Sequence, residues 1–454
     1  MSFIDKLNRF ASNPVNMNMK RSKFNLSHGH KLTMVAGKLV PLMCTEILPD
    51  DTMKLNVASL IRSITPALPV MDNAYFDIFA FWVPSRLATV HEKDWQKIHG
   101  ENDSGFWADP VESTLINTGN TFKFSDSTKP VQAQSLADYL GIPISFYHSD
   151  MELSRLPFNA FLLIWNEWFR DQNTQAPIQF KSFTNAQCIS YFGDPANLPD
   201  VNKFHDYFTS ALPSPQKGAS VLLPMAGQAP VITGNVHTGY QTAGAVRFVD
   251  NSGGDFPAWS VKNIVAYNNT GQTRMEGTLG YDPGSTASAS AGGMKSLLPS
   301  NLWADLTNAT AVSVNEMRQA FAIQKLFEKD ARGGTRYRET LMTHFGVSIP
   351  DNTVQVPEYV GGKRVPLNQM QVLQTSENGT SPLGTTGAFS NTSDSSDICV
   401  KSFAEHGYLI VCGCIRVNQS YSQGISRMFT RYRRFDNYYP VFANLDNQKP
   451  QLNH

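Results

Sequence analysis

Alternation of apolar side chains is clearest over residues 73–83. There Tyr75, Asp77, Phe79, Phe81 and Val83 alternate with Ala74, Phe76, Ile78, Ala80 and Trp82, so both faces are mostly apolar. A period of two with apolar residues on both sides predicts a strand buried on both faces rather than an edge strand. Shorter strand patterns cover residues 31–40, 52–57 and 407–417, and Pro41, Pro49, Pro66, Pro69 and Pro84 punctuate the N-terminal set. The strand near residue 410 is expected to pack among those from residues 30–80. One domain with long insertions explains that return better than consecutive domains do.

Helical periodicity is confined to a few segments. Ser135 to Gly141 has a Ser N-cap and a Gly stop. Residues 157–171 place Phe161, Ile164, Trp165 and Trp168 at i, i+3, i+4 and i+7. Residues 313–331 open with the capping box Ser313-x-x-Glu316, present Val314, Met317 and Phe321 on one face, and end at Gly333-Gly334. A short helix over 336–345 is expected to follow. These helices sit inside long connections between strands, which is not the regular alternation of a parallel α/β fold. No repeat of 20–50 residues is visible, so a solenoid or propeller is not expected.

Two stretches change composition. Residues 227–300 are rich in Gly, Ala, Ser, Thr and Asn, and 374–397 are similar. Both read as surface excursions, the first with weak strands. The organisation expected is a basic arm over 1–30 and a single domain over 31–454. Its insertions fall at about 85–210, 227–310 and 374–397. Extended, its first 25 residues reach on the order of 80 Å.

Charge sharpens the picture. The 454 residues carry 38 Lys+Arg and 38 Asp+Glu, so the net charge is zero, and charged residues make up only 17%. Zero net charge argues against a plain basic nucleic-acid binder, yet the charges are segregated. Residues 1–31 carry Lys6, Arg9, Lys20, Arg21, Lys23 and Lys31 against Asp5 alone, a balance of +5. Residues 425–454 carry Arg427, Arg431, Arg433, Arg434 and Lys449 against Asp436 and Asp446, a balance of +3, which leaves the body at −8. Basic ends on an acidic body point to a polyanion on one side.

The candidate chemistry is mostly negative. The first 24 residues lack a continuous apolar run, so no signal peptide is expected, and no run of about 18 apolar residues predicts a membrane span. Five scattered cysteines are not a disulfide framework, and synthesis in a reducing cytoplasm fits them. Cys412 and Cys414 share one face of a strand, but no second ligand pair stands at metal spacing, so they read as small buried residues. His91-Glu92 lacks a second zinc-helix His; Thr89 and Glu92 are spaced as a capping box instead. Gly361-Gly362-Lys363-Arg364 lacks the upstream Gly and the Ser/Thr of a phosphate loop and reads as a turn. No residue set supports an enzyme, and no cofactor is expected.

The strongest chemical feature runs from Arg427 to Tyr439. Arg427, Arg431, Arg433 and Arg434 supply forked phosphate donors, and Tyr432 and its aromatic neighbours offer stacking platforms for unpaired bases. Lys20, Arg21 and Lys23 form a second, smaller cluster. The bland readings are an aromatic core strand whose arginines pair with the acidic body or a neighbouring subunit, and a solvated tail. Three function classes are open at this point: a structural shell protein, a soluble single-stranded DNA-binding protein, and a β-sandwich enzyme acting on polysaccharides. No compelling carboxylate pair supports the third.

Ten collinear stretches carry a resemblance: SHGHK (27–31), ILPDDT (47–52), PVMDNAYFDIFAFWVPSRL (69–87), NEWFRDQN (166–173), HDYFTSALPSPQKG (205–218), RQAFAIQKLFEKDARGGTRYRE (318–339), HFGV (344–347), PEYVGG (357–362), KSFAEHGY (401–408) and NYYPVFANL (437–445). Together they resemble the major capsid proteins of microviruses, small circular single-stranded DNA phages, especially the gokushovirus-like branch. The resemblance implies an all-β fold, an eight-stranded antiparallel jelly-roll sandwich whose long loop insertions contain short helices. It implies a T=1 icosahedral shell of sixty copies with pentamer intermediates, assembled in the host bacterial cytoplasm, and no enzyme activity. Implied partners are the packaged DNA, a small DNA-binding or internal scaffolding protein, a minor or pilot protein, and a host surface receptor, without membrane insertion. The basic ends would then line the inner face. The stretch 227–310 departs from the pattern, being shorter than the large surface insertion of those relatives.

Overall fold

The computed structural model describes residues 20–63, 72–99, 115, 119–206, 208–210, 212, 214, 216–221, strand segments within 231–304, 314–368, 371–376, 379, 382–389, 391–421 and 424–440. Two compact units divide the chain, residues 1–215 with 333–454, and residues 216–332.

The larger unit is built around six long strands: β1 (Val40–Ile47), β2 (Thr52–Arg62), β3 (Ala74–Pro84), β4 (Glu358–Pro366), β5 (Asn391–Ser402) and β6 (Gly407–Val417). One antiparallel sheet has the order β1-β6-β3-β4, and a second pairs β5 with β2. Hydrogen-bonded neighbours in the first sheet are thus far apart in sequence, and β6 does pack between β1 and β3 as expected. Strand β3 carries the logic of the unit. Its Phe76, Ile78 and Ala80 join Leu55 of β2, Val365 of β4 and Val411 of β6 in a core facing the β2–β5 pair. Its Phe81 and Val83 face the opposite way, into a core shared with helices. Each such side chain, fully buried, contributes about 1.5–3 kcal/mol.

The helical layer comes from the insertion after β3. Helices α1 (Ser85–Ala88), α2 (Asp94–Ile98), α3 (Leu136–Tyr139), α4 (Leu156–Ile164) and α5 (Asn185–Gly193) lie there. Ser135 caps α3 by accepting from the Asp138 N–H at 3.3 Å, and Gly141 follows at φ +95°, as the sequence predicts. Helix α4 passes into a π-turn over Trp165–Phe169, with the Arg170 N–H reaching the Trp165 carbonyl at 2.9 Å. That wider turn brings Trp168 and Phe169 onto Phe81, ring centroids 5.4 and 5.8 Å apart. Phe158, Phe161, Leu162 and Ile164 are all buried, so α4 is a core helix rather than an amphipathic one.

Several expectations shift. Residues 31–39 carry no strand; β1 begins at Val40 and bulges at Pro41. Proline cannot donate to the ladder, which accounts for the slip in register. Thr89 does not form a capping box with Glu92; its hydroxyl donates to the carbonyls of Arg86 and His91, and the next helix starts at Asp94. Residues 361–364 are not a turn but the middle of β4. A Cβ on Gly361 would stand 2.5 Å from the Ile398 carbonyl oxygen, and one on Gly362 the same distance from that of Ile78. Glycine is needed where backbones approach this closely. Residues 391–397 form half of β5, whose alternating Ser, Thr and Asp conceal a strand.

In the smaller unit, two antiparallel sheets form. Phe248–Asp250, Lys295–Pro299, Thr278–Tyr281 and Ile264–Tyr267 make one, and Leu302–Ala304 pairs with Val231–Thr233. Helix α6 (Val314–Gly333) completes the unit and ends at the expected glycines, Gly334 having φ +102°. Ser313, the expected cap, lies outside the described residues. Helix α7 (Tyr337–Phe345) follows in the larger unit.

One charge lies at the centre of the main sheet. Asp77 of β3 is 1% exposed and is held between Arg364 of β4 and Arg416 of β6, with Nε–Oδ distances of 2.7 and 2.8 Å. Both guanidinium carbons also lie over the Phe204 ring, at 4.5 and 4.4 Å. Three strands are tied by one carboxylate. Asp77→Ala is expected to cost about 3–5 kcal/mol in urea unfolding, because it leaves the well-buried Arg416 without its counter-charge. Arg364→Ala is expected to cost about 1 kcal/mol or less, because half of that side chain is already in solvent.

Candidate nucleic-acid interface

The segment from Arg427 to Tyr439 is not a core strand. It forms two 3-10 turns, Arg427–Thr430 and Arg434–Asp436. The second is organised by Asp436, whose carboxylate accepts from the Tyr432 and Arg433 N–H groups at 3.0 and 2.7 Å. An acid at the third position of a turn reaches back to the free N–H groups at its start in this way. Met428, Phe429, Tyr432, Phe435 and Tyr438 all face solvent, Tyr432 at 85% exposure. Arg431, Arg433 and Arg434 are exposed as well. Arg434 donates to the Tyr439 hydroxyl at 3.3 Å and lies over its ring. No carboxylate pairs with the side chains of these three arginines among the described residues. Arg427 lies in the first turn; its side chain is outside the described residues.

Strand pairing starts the arm and the C-terminal segment from one end of the main sheet, but the two basic clusters are not brought together: Arg21 reaches Asp50, beyond the other end of β1. Val40, the first residue of β1, pairs with Gly413 near the end of β6, and the Gly37 N–H donates to the Ile415 carbonyl at 2.9 Å. The arm before β1 and the segment after β6 therefore leave the sheet side by side. In the arm, Lys20, Arg21 and Lys23 are exposed and outside regular structure. Arg21 pairs with Asp50, an exposed contact of little energetic weight.

Sequence reasoning missed the anchors of the C-terminal segment. The Ser420 hydroxyl donates to Asp72 at 2.6 Å, and the Tyr421 hydroxyl donates to Asp206 at 2.7 Å. Asp206 also accepts from the Thr209 and Phe208 N–H groups at 2.7 and 2.9 Å. The Thr209 N–H first, then the Tyr421 hydroxyl, hold the Asp206 carboxyl down at about 2. An Asp followed three residues later by Thr is an Asx-turn signal that could have been read. Its tyrosine partner, 215 residues away, could not.

The cysteines offer nothing reactive. Cys412 and Cys414 are fully buried in β6. Burial pushes the Cys188 thiol up to about 11 and those of Cys44 and Cys414 to about 12, so they stay protonated at neutral pH. The described residues hold no cluster of metal-ligating side chains, and no helix long and apolar enough to cross a membrane.

The fold is thus an antiparallel β core that ends in a strip of exposed arginines and aromatic rings. Comparison with known families gives the particular class: the model of the capsid protein (F protein) family of phages matches residues 13–453, and the chain belongs to that family. It is 37% identical to capsid protein VP1 of Bdellovibrio phage phiMH2K, over 97% of this chain and 77% of that one. It is 34% identical to capsid protein VP1 of Spiroplasma virus 4, over 94% and 75%, and 32% identical to that of Chlamydia phage 1, over 97% and 78%. This is the microvirus capsid family that the ten motifs resemble, and its members are structural proteins.

The Tyr421–Asp206 contact sets a pH dependence with a definite sign. A depressed carboxyl stabilises the fold above the ordinary aspartate value of 3.8, and that contribution is lost as pH falls through about 2. Asp206→Asn and Tyr421→Phe should each accelerate tryptic cleavage after Arg431 and Arg433 several-fold at pH 8. Carbon NMR of the Asp206 carboxyl should show its titration near pH 2.

Proposed function

We propose that this capsid protein forms a T=1 shell of sixty copies around a circular single-stranded DNA genome, and that its two basic ends line the inner face. The observation that carries the reading is the C-terminal strip, in which Arg431, Arg433 and Arg434, without carboxylate partners among the described residues, lie among solvent-facing aromatic rings. Arg427, Arg431, Arg433 and Arg434 contact phosphates, and Tyr432 stacks on a base. Lys20, Arg21 and Lys23, exposed near the other end of β1, add a second patch of phosphate donors to that inner face. A single strand suits this chemistry because its bases are free to stack and its backbone can follow an irregular row of donors. No groove-reading helix is required.

In this reading the two packed sheets belong to an eight-stranded jelly roll, with residues 31–454 as one domain and the stretches at about 85–210, 227–310 and 374–397 as insertions. The order β1-β6-β3-β4, with the first and last strands adjacent, supports it. The remaining partners are a small DNA-binding or internal scaffolding protein, a minor or pilot protein, and a receptor on the host surface. Assembly takes place in the bacterial cytoplasm.

The test combines assembly with binding. Purified protein should elute as pentamers or larger in size-exclusion chromatography; a strictly monomeric DNA binder would instead support a soluble single-stranded DNA-binding protein. Replacing Arg431, Arg433 and Arg434 together by Ala should lower the slope of log K against log salt for oligo-dT by about 2, at ~0.7 per phosphate contact. Tyr432→Ala should cost about 1–3 kcal/mol of binding. An unchanged slope, or cryo-EM density placing these residues on the outer surface, would overturn the inner-face assignment.

A further inference from the structure

Helix α7 is held by polar contacts while its largest apolar side chains stand in solvent, the reverse of an ordinary surface helix. Arg336 pairs with Glu339 at 3.1 Å and approaches Glu167 at 4.0 Å. Arg338 pairs with Asp351 at 2.7 Å and lies 4.4 Å over the Trp168 ring. The Thr343 hydroxyl donates to the Gly333 carbonyl at 2.9 Å. Polar contacts therefore hold α7 to its own subunit. Tyr337, Met342 and Phe345 are 67, 58 and 73% exposed, Leu341 is half-buried, and no residue of the helix is buried. Nor is the face a fraying end. Gly346 closes the helix at φ +70°, its N–H bonded to the Met342 carbonyl at 3.0 Å.

The patch has the composition of a protein interface. It combines two aromatic residues and a methionine with two arginines, Arg336 beside it and Arg338 four and seven residues before Met342 and Phe345. Those arginines already face carboxylates, so the patch is locally neutral and offers a polyanion nothing. Two aromatic side chains and a methionine amount to roughly 400–500 Å², at the upper end for a monomer surface and about half of one partner's share in a standard interface.

The spacing also says which protein fits. Tyr337, Leu341 and Phe345 fall at i, i+4 and i+8, one ridge along the helix. Two such ridges laid antiparallel about a two-fold axis through Leu341 set each Tyr337 against Phe345 of the second copy. Leu341 then meets its own equivalent, and the helix dipoles oppose. We propose that α7 pairs with α7 of a second copy of this chain across a two-fold axis. The inference rests on the capsid reading, because a closed shell supplies a second copy at every two-fold.

Cross-linking in assembled particles tests it. With Leu341→Cys, mild oxidation should give a covalent dimer on a non-reducing gel, while the parent chain, whose five cysteines all lie outside α7, gives none. Phe345→Asp and Tyr337→Glu change exposed positions, so the melting temperature should hold while the protein concentration needed for assembly rises at least tenfold. Intact particles without the Leu341→Cys dimer, or a Phe345→Asp chain that assembles as the parent does, would overturn the two-fold contact and leave the capsid reading standing. Loss of binding to another phage protein with assembly unchanged would assign the patch to that protein instead and equally overturn the proposal. A parent chain that stays monomeric at every concentration would overturn the capsid reading itself.

Discussion

Burial of β3 on both faces is the constraint from which the rest follows. A strand with Phe76, Ile78 and Ala80 on one side and Phe81 and Val83 on the other must be covered twice. The β2–β5 pair covers one side. The segment between β3 and the smaller unit covers the other, with Phe161, Ile164 and Trp165 as its inner surface. That connection, an insertion when read from sequence, is therefore a wall of the core. Shortening it would strip β3 rather than trim a loop.

The apolar elements were legible because their periods are strong. Strands β3 and β6 and the helices around Ser135, Phe161 and Phe321 all fall where the pattern puts them. Strands β4 and β5 were not legible, for different physical reasons. In β4 the glycines are demanded by neighbouring carbonyls, and a lone sequence cannot distinguish a close approach from a turn. In β5, Thr392, Asp394 and Ser396 point toward the core side yet are polar, with Asp394 bonded to Lys363 at 2.6 Å. Alternation of polar with polar leaves no hydrophobic signal. The candidate site was legible in composition but not in setting. Only the fold shows that its aromatic residues face solvent.

The arginines illustrate the same limit. Arg364 and Arg416 were passed over, while Arg431, Arg433 and Arg434 stood out because they cluster. In the structure the first two share Asp77 across three strands, and the cluster is without carboxylate partners among the described residues. A charge that closes a sheet and a charge free to meet a ligand look alike in a sequence. Partners far along the chain separate them. The same holds for α7, whose arginines are engaged inward while its aromatic side chains are left outside.

The adjacency of β1 and β6 has a consequence for the timing of folding. Until residues 407–417 have left the ribosome, β1 and β3 have no strand between them, and Asp77 has no Arg416. Residues as far apart in the chain as Val40 and Gly413 must both be present before the central sheet can close. Such a topology folds slowly from its parts and all at once when complete. Truncated chains lack both the finished sheet and the basic strip that follows it. Only full-length subunits would then be competent to join a growing particle, a form of quality control written into strand order.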